Sequence, residues 1–111
     1  MEMPRPTDAH RDAFRALVPD APGVELRPMF GQLGAFVHGN LFMCLFGDRV
    51  TFKLAAADLE AARARPDAEA FAPGGRTMRE YVALPLAADG LDGPAERALA
   101  YVATLPPKRP R

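Results

Sequence analysis

The spacing of apolar residues changes twice along the chain, and each change marks a predicted element. A helix is predicted from Asp8 to about Val18, where apolar residues recur every three or four positions and Thr7 precedes the first turn as a cap. From Val24 onward, apolar and polar residues alternate as they do in half-buried strands. Short turns containing Gly or Asn divide this region into an antiparallel meander. Its predicted strands are residues 24–29, 33–38, 41–46 and 49–54.

The second half of the chain continues with two helices and a strand pair. Good helix formers fill Ala55–Arg65, which predicts the second helix. A short strand is predicted at Ala70–Ala72 and a longer one at Thr77–Leu84, with a turn at Pro73–Arg76 between them. The last helix begins near Asp92 and presents one apolar stripe.

This order predicts an α+β fold, a two-layer antiparallel sheet with helices on one face. The sequence of elements is helix, strand meander, helix, strand pair, helix. A length of 111 residues fits one domain. We place that domain at residues 7–105 and expect residues 1–6 and 106–111 to be flexible tails.

The central strands carry apolar residues on both faces. Phe36, Phe42, Cys44 and Phe46 are too many to leave one face in water once helices cover the other. An exposed apolar patch of several hundred Å² usually marks an interaction site. We therefore expect a homodimer, formed across the sheet or at its edge.

Composition removes several kinds of chemistry. The chain has no Ser, one Cys and two His, which excludes a serine nucleophile and a closed Cys/His zinc site within one chain. Cys44 lies in an apolar strand, where a thiol usually behaves as a small hydrophobic group. We predict no catalytic residue, no cofactor and no metal, and hence a protein that is not an enzyme.

The single Cys and the charge distribution also bear on location and partners. One Cys forms no intrachain disulfide, which suits the cytoplasm, and no apolar run approaches the roughly 20 residues that span a bilayer. Basic and acidic groups number 14 each, and three basic groups lie in the tail at Lys108, Arg109 and Arg111. Residues 1–107 are thus mildly acidic, and we expect nucleic acid to bind at most weakly, through the tail.

The run from Arg27 to Phe42 resembles the signature of the TfoX (Sxy) N-terminal domain family. That signature combines Arg, a Met-Phe-Gly element and two aromatic strands around a Gly turn. Later segments, residues 50–54, 78–85 and 91–94, also resemble family elements. Motif residues that are candidates for an interaction surface are Arg27, Met29, Phe30, Gly31, Gly34, Phe42, Lys53, Met78, Tyr81 and Pro85.

The resemblance implies an α+β fold in a bacterial cytoplasmic protein. It also implies a regulator of natural competence that acts with other transcription factors rather than by catalysis. Full-length regulators of the family have a C-terminal helical domain, so we expect this chain to be a stand-alone N-terminal domain with an unidentified regulatory partner. Gln32 stands where the family usually has a second Gly, so this turn is expected to differ.

The sequence leaves two questions open. Phe30 either anchors the core, with Gly31 supplying a special backbone angle, or forms a contact surface for a partner. The alternative function is a small-molecule-binding domain or an enzyme with Arg and carboxylate groups in a cleft between helix and sheet. That function would bring Arg27, Lys53, Glu80 and Tyr81 together.

Overall fold

Three helices and one six-stranded sheet form the domain. The computed structural model describes residues 4–108, so Arg109 and Arg111 of the basic tail and residues 1–3 lie outside the described residues. The helices are α1 (Asp8–Leu17), α2 (Ala56–Arg63) and α3 (Asp92–Ala103). The strands are β1 (Val24–Met29), β2 (Gln32–Val37), β3 (Asn40–Phe46), β4 (Arg49–Lys53), β5 (Glu69–Ala70) and β6 (Tyr81–Pro85).

The sheet is antiparallel throughout, and its strand order is β1-β2-β3-β4-β6-β5. The predicted meander accounts for the first four strands, because each turn between them is two residues long. β1 is an edge strand, which suits Pro28, since proline lacks the amide that a central strand requires. The α+β class and the order of elements predicted from the sequence are confirmed.

All three helices pack against the same face of the sheet. They contribute Phe14, Leu59 and Val102 to a buried cluster that also contains the strand residues Met43 and Phe52. α1 begins as predicted, because the Thr7 hydroxyl accepts a hydrogen bond from the His10 amide at 3.1 Å. Burial of this apolar cluster supplies the main stabilisation of the fold, because each Å² of apolar surface removed from water contributes about 25 cal/mol.

A β-bulge between β2 and β3 changes which face the aromatic residues occupy. Ala35 pairs with Met43, whereas its neighbour Phe36 pairs with Leu41, so Phe42 is the extra residue. Phe42 and Met43 consequently both join the helix-side core. The expectation that Phe42 contributes to the other face, and hence to an interaction surface, is therefore wrong.

The last strand is shorter than its alternating sequence predicts. β6 begins at Tyr81, and Thr77–Glu80 lie outside the sheet. The chain between β5 and β6 instead forms a loop, residues 71–80, which includes a turn of 3-10 helix at Pro73–Gly75. Its backbone is held internally, since the Met78 amide donates to the Phe71 carbonyl at 2.8 Å. The prediction of a strand from residue 77 is wrong, because Met78 bonds to Phe71 within the loop and strand pairing begins only at Tyr81.

Candidate binding cleft

The sheet face opposite the helices, here called the open face, has a small apolar cluster of its own. Cys44, Tyr81 and Ala83 lie on this face and are buried together with Phe71 from the loop. The Phe71 ring packs edge-on against Phe46, with ring centroids 5.3 Å apart, and against Tyr81 at 5.8 Å. The sequence predicts that a partner covers this face. In the structure, the loop itself covers part of it.

Together with its neighbours, this cluster lines an apolar cleft of about 550 Å³ on the open face. One wall is the β1–β2 hairpin with Met29 and Phe30, and the other is the 71–80 loop with Met78. Leu41 and Cys44 lie on the floor. Met78 is 40% exposed, and its side chain is flexible enough to adapt to different apolar shapes. The arrangement suits a bulky apolar group better than a charged one.

Phe30 is at the tip of the β1–β2 hairpin and is 81% exposed. Met29 pairs with Gln32, so Phe30 and Gly31 form a two-residue turn. Both adopt left-handed φ values, 52° for Phe30 and 78° for Gly31. That conformation is unusual for a bulky residue and costs about 1–2 kcal/mol. The hypothesis that Phe30 anchors the core is wrong. Its strained backbone and exposed ring favour the other hypothesis, a contact surface for a partner.

Gly34 allows the wall and the floor of the cleft to approach each other. A Cβ at this position would lie 3.0 Å from the Met29 sulfur, from Leu41 Cδ1 and from Phe36 Cε1. Any larger residue would therefore displace these side chains. Gly34 is thus a packing residue of the site, although it makes no polar contact with it.

Gln32 connects the cleft to the N-terminal segment and is only 5% exposed. Its side-chain nitrogen donates to the Pro4 carbonyl at 2.5 Å, and its side-chain oxygen accepts from the Gly47 amide at 3.0 Å. Both halves of the amide are therefore satisfied in a buried position. This residue explains how the turn accommodates Gln where the resemblance expects Gly, because the side chain turns inward and links two segments.

The thiol on the cleft floor is not set up as a nucleophile. Burial raises the pKa of Cys44 from an ordinary value of 9.0 to about 11, and a hydrogen bond with the Thr51 hydroxyl at 2.8 Å only partly opposes this. Burial likewise raises the pKa of the Tyr81 phenol. Both groups are neutral at physiological pH, so they extend the apolar character of the cleft.

A second depression of about 740 Å³ adjoins the apolar cleft beyond Phe30. The two share Pro4, Phe30 and Gln32, and the second is lined in addition by Arg5 and Arg11. Arg11 pairs with Asp8 at 3.1 Å, but that carboxylate is almost fully exposed. We call this region the arginine depression. Phe30 thus lies between an apolar region and a basic one.

The remaining motif residues lie elsewhere. Arg27 is on the open face but pairs with Glu25 at 2.8 Å and covers the Phe36 ring at 4.8 Å. Lys53 pairs with Glu80 at 3.4 Å, and neither residue lines the cleft. Pro85 pairs with Arg49 at the end of β6. Of the four residues in the alternative cleft, only Tyr81 lines the cleft that we observe.

Sequence reasoning missed several residues of the site. Arg5 and Arg11 showed no pattern, since their approach to Phe30 depends on the fold. Phe71 gave a weak signal, as the one aromatic residue in the short strand predicted at Ala70–Ala72. Other lining residues that the motif did not single out are Leu41, Phe46, Ala72 and Gly74.

Residues 4–108 hold neither a cluster of metal-binding side chains nor a membrane-spanning helix. Among these residues, His, Cys, Asp and Glu do not gather in any group of three or more that would hold a metal ion. None of the helices within the same range is both long and apolar enough to cross a membrane.

The fold and the cleft define the class of protein, a small two-layer α+β domain with an open, mainly apolar sheet face. The family model of the TfoX N-terminal domain matches residues 16–99, which is most of the chain. The chain therefore belongs to the TfoX N-terminal domain family, as the motif resemblance predicts. Comparison with curated proteins and with solved structures yields no significant match.

Proposed function

We propose that this domain is a regulatory protein-interaction module that binds a partner protein through the open face. The observation that supports this most directly is the exposed, left-handed Phe30 beside an apolar cleft. A strained aromatic residue in water stabilises nothing in the isolated chain, whereas aromatic residues are enriched at the centres of interfaces. Membership in a family that includes competence regulators agrees with this role.

The proposed mode of action is binding rather than catalysis. The titratable groups buried at the cleft are the Cys44 thiol and the Tyr81 phenol. Burial raises the pKa of each, so neither offers a reactive anion near neutral pH. The motif cations Arg27 and Lys53 are paired with Glu25 and Glu80 and do not line the cleft. A substrate screen that found steady turnover would contradict this proposal.

Further parts of the proposal concern the protein's cellular location and its partners. A cytoplasmic location suits a chain whose single thiol is free and buried. Regulation of competence or transcription would require contact with a regulatory protein. Weak binding of nucleic acid through Lys108, Arg109 and Arg111 stays a prediction; removal of these residues is expected to lower retention on a low-salt DNA column.

A photo-crosslinking experiment tests the proposed surface. The amino acid p-benzoylphenylalanine replaces Phe30 in one full-length variant and Tyr101, an aromatic residue on the helix side, in a control variant. We expect a discrete crosslinked protein in the source cell from position 30 and not from position 101. That protein, once purified, should bind the wild-type chain and bind at least about tenfold more weakly to Met78→Asp, which places a charge at the cleft.

Crosslinks that are the same from both positions would contradict the proposed surface. So would a purified partner whose affinity is unchanged by Met78→Asp. Circular dichroism of each variant serves as the check on folding, and Met78 is exposed enough for the aspartate to be tolerated.

A further inference from the structure

The candidate site has two chemically different halves, the apolar cleft on the open face and the arginine depression, which α1 helps to line, and this division specifies the partner's chemistry. The apolar cleft holds about 550 Å³ and the arginine depression about 740 Å³, and Phe30 lies at their boundary. The inference rests on the proposed function, because it names the kind of protein segment that the open face would bind.

We propose that the two halves together bind a protein segment in which bulky apolar side chains lie next to acidic side chains. The apolar side chains occupy the cleft between Met29 and Met78. The acidic side chains reach Arg5 and Arg11. Phe30 packs against the backbone where the segment passes from one half to the other.

Size favours a peptide segment over a small molecule. Small-molecule pockets usually hold about 300–1,000 Å³ and enclose most of the ligand. The two depressions together exceed that range and are both open to solvent. An elongated ligand that crosses Phe30 fits this shape, whereas a compact one would use only half of it.

Charge favours acidic groups at one end. Arg5 and Arg11 both line the depression. No ion pair of Arg5 is found within residues 4–108, and the Arg11 pair with Asp8 is an exposed one. Exposed pairs are weak, about 0.2–1 kcal/mol, so the Arg11 guanidinium retains capacity for a second carboxylate. Guanidinium groups bind carboxylates with two parallel hydrogen bonds.

The cleft half favours long, flexible apolar contacts. Met29 and Met78 both line the cleft, and thioether side chains repack around different apolar groups. Such surfaces bind amphipathic segments of varied sequence. Leu, Phe and Met are therefore the expected anchors of the segment.

A selection from random peptides tests this proposal on the full-length chain. Peptides of about ten residues span about 33 Å when extended, which matches the domain's longest dimension of 31 Å. We expect the selected peptides to combine bulky apolar residues with Asp or Glu. Their affinity is expected to fall at least about tenfold in the double variant Arg5→Glu and Arg11→Glu, and to fall with salt from about 50 to about 500 mM.

Arg15→Glu is the matched control. Arg15 lies on the same helix as Arg11 and has an equivalent pair with Asp12 at 3.2 Å, but it does not line the depression. Its affinity for the selected peptides should stay within about twofold of wild type. If the double variant does not fold, the salt dependence and the neutral pair Arg5→Gln and Arg11→Gln give the same test.

The possible failures are distinguishable. Purely apolar peptides whose affinity ignores Arg5, Arg11 and salt would overturn the inference but leave the proposed function standing. Acidic peptides that bind equally to Met78→Asp would overturn the inference as well, and so would a selection without binders. The proposed function itself fails on its own tests: crosslinks from position 30 that match those from position 101, a crosslinked partner whose affinity is unchanged by Met78→Asp, or steady turnover of a substrate.

Discussion

The side-chain oxygen of Gln32 accepts a hydrogen bond of 3.0 Å from the backbone amide of Gly47. The same side chain donates to the Pro4 carbonyl, so one buried amide connects the N-terminal segment, β2 and the β3–β4 turn. Gly47 tolerates no side chain, since a Cβ would lie 2.6 Å from Pro4 Cβ. These contacts hold Pro4 against the cleft and the arginine depression, which it helps to line.

Removing this amide should destabilise the domain. Gln32→Ala leaves the Pro4 carbonyl and the Gly47 amide without their partner, and we expect a loss of about 1–3 kcal/mol in the free energy of unfolding. Urea denaturation measures the change. Asn40→Ala is the control, because it also removes an amide bond to a backbone carbonyl, that of Pro106, but at an exposed position. Equal losses in both variants would refute the role that we assign to Gln32.

A methyl group at Gly34 should damage the cleft. Gly34→Ala brings a Cβ within 3.0 Å of the Met29 sulfur and of Leu41 Cδ1, which must move apart. We expect a loss of about 1–3 kcal/mol of stability. Gly93→Ala makes the opposite change, because Gly93 is helical and its nearest neighbour is the flexible Arg97 side chain at 3.3 Å. There we expect a gain of about 0.5–1 kcal/mol, and urea denaturation of both variants decides the matter.

Phe30→Gly should separate stability from binding. Glycine adopts the left-handed conformation without strain, and the Phe30 ring buries little, so we expect stability to stay unchanged or rise by up to about 1 kcal/mol. Binding of the crosslinked partner should nevertheless weaken at least about tenfold.

His38→Gly is the control for this substitution. His38 has the same φ of 52° and occupies the corresponding turn between β2 and β3. Its stability should change in the same direction, with no effect on partner binding. A large loss of stability in Phe30→Gly would show instead that Phe30 supports the fold.

The raised pKa of Cys44 predicts weaker folding at alkaline pH. The folded thiol holds its proton up to about pH 11, whereas an ordinary thiol titrates near 9.0, so the unfolded chain loses the proton first. Stability should therefore fall as pH rises from 9 toward 11. Tyr81, whose pKa burial also raises, contributes in the same direction. Cys44→Ala should give a shallower decline, and identical slopes in urea denaturation would contradict the assignment.

Light scattering tests the predicted homodimer. If the cleft binds a partner protein, the edge of the sheet remains for self-association. Leu26 on the edge strand β1 is 42% exposed. We expect a mass twice 12.0 kDa at high concentration, reduced to that of a monomer by Leu26→Lys. Dissociation by Met78→Asp instead would place the dimer interface on the open face. A monomer at every concentration would show that the prediction is wrong.

Most local structure could be predicted from the sequence, because its cause is local. The alternation of side chains defines strands, two-residue turns containing Gly join them, and Thr7 caps α1 through its own hydroxyl. The alternation at Thr77–Glu80 was misleading for a related reason. It has the period of a strand, but Phe71 anchors the loop in the open-face cluster, and that distant contact outweighs the local pattern.

The amino-acid sequence by itself thus determined the class of fold, the lack of a serine nucleophile and the family motif. Only the tertiary structure decided that Phe42 is in the core and Phe30 in water, because a bulge and a left-handed turn reset the phase of neighbouring side chains. It also decided where the cleft lies. Its walls come from segments far apart in the sequence. Arg5 and Met78 line two depressions that meet at Phe30 only once the sheet has assembled.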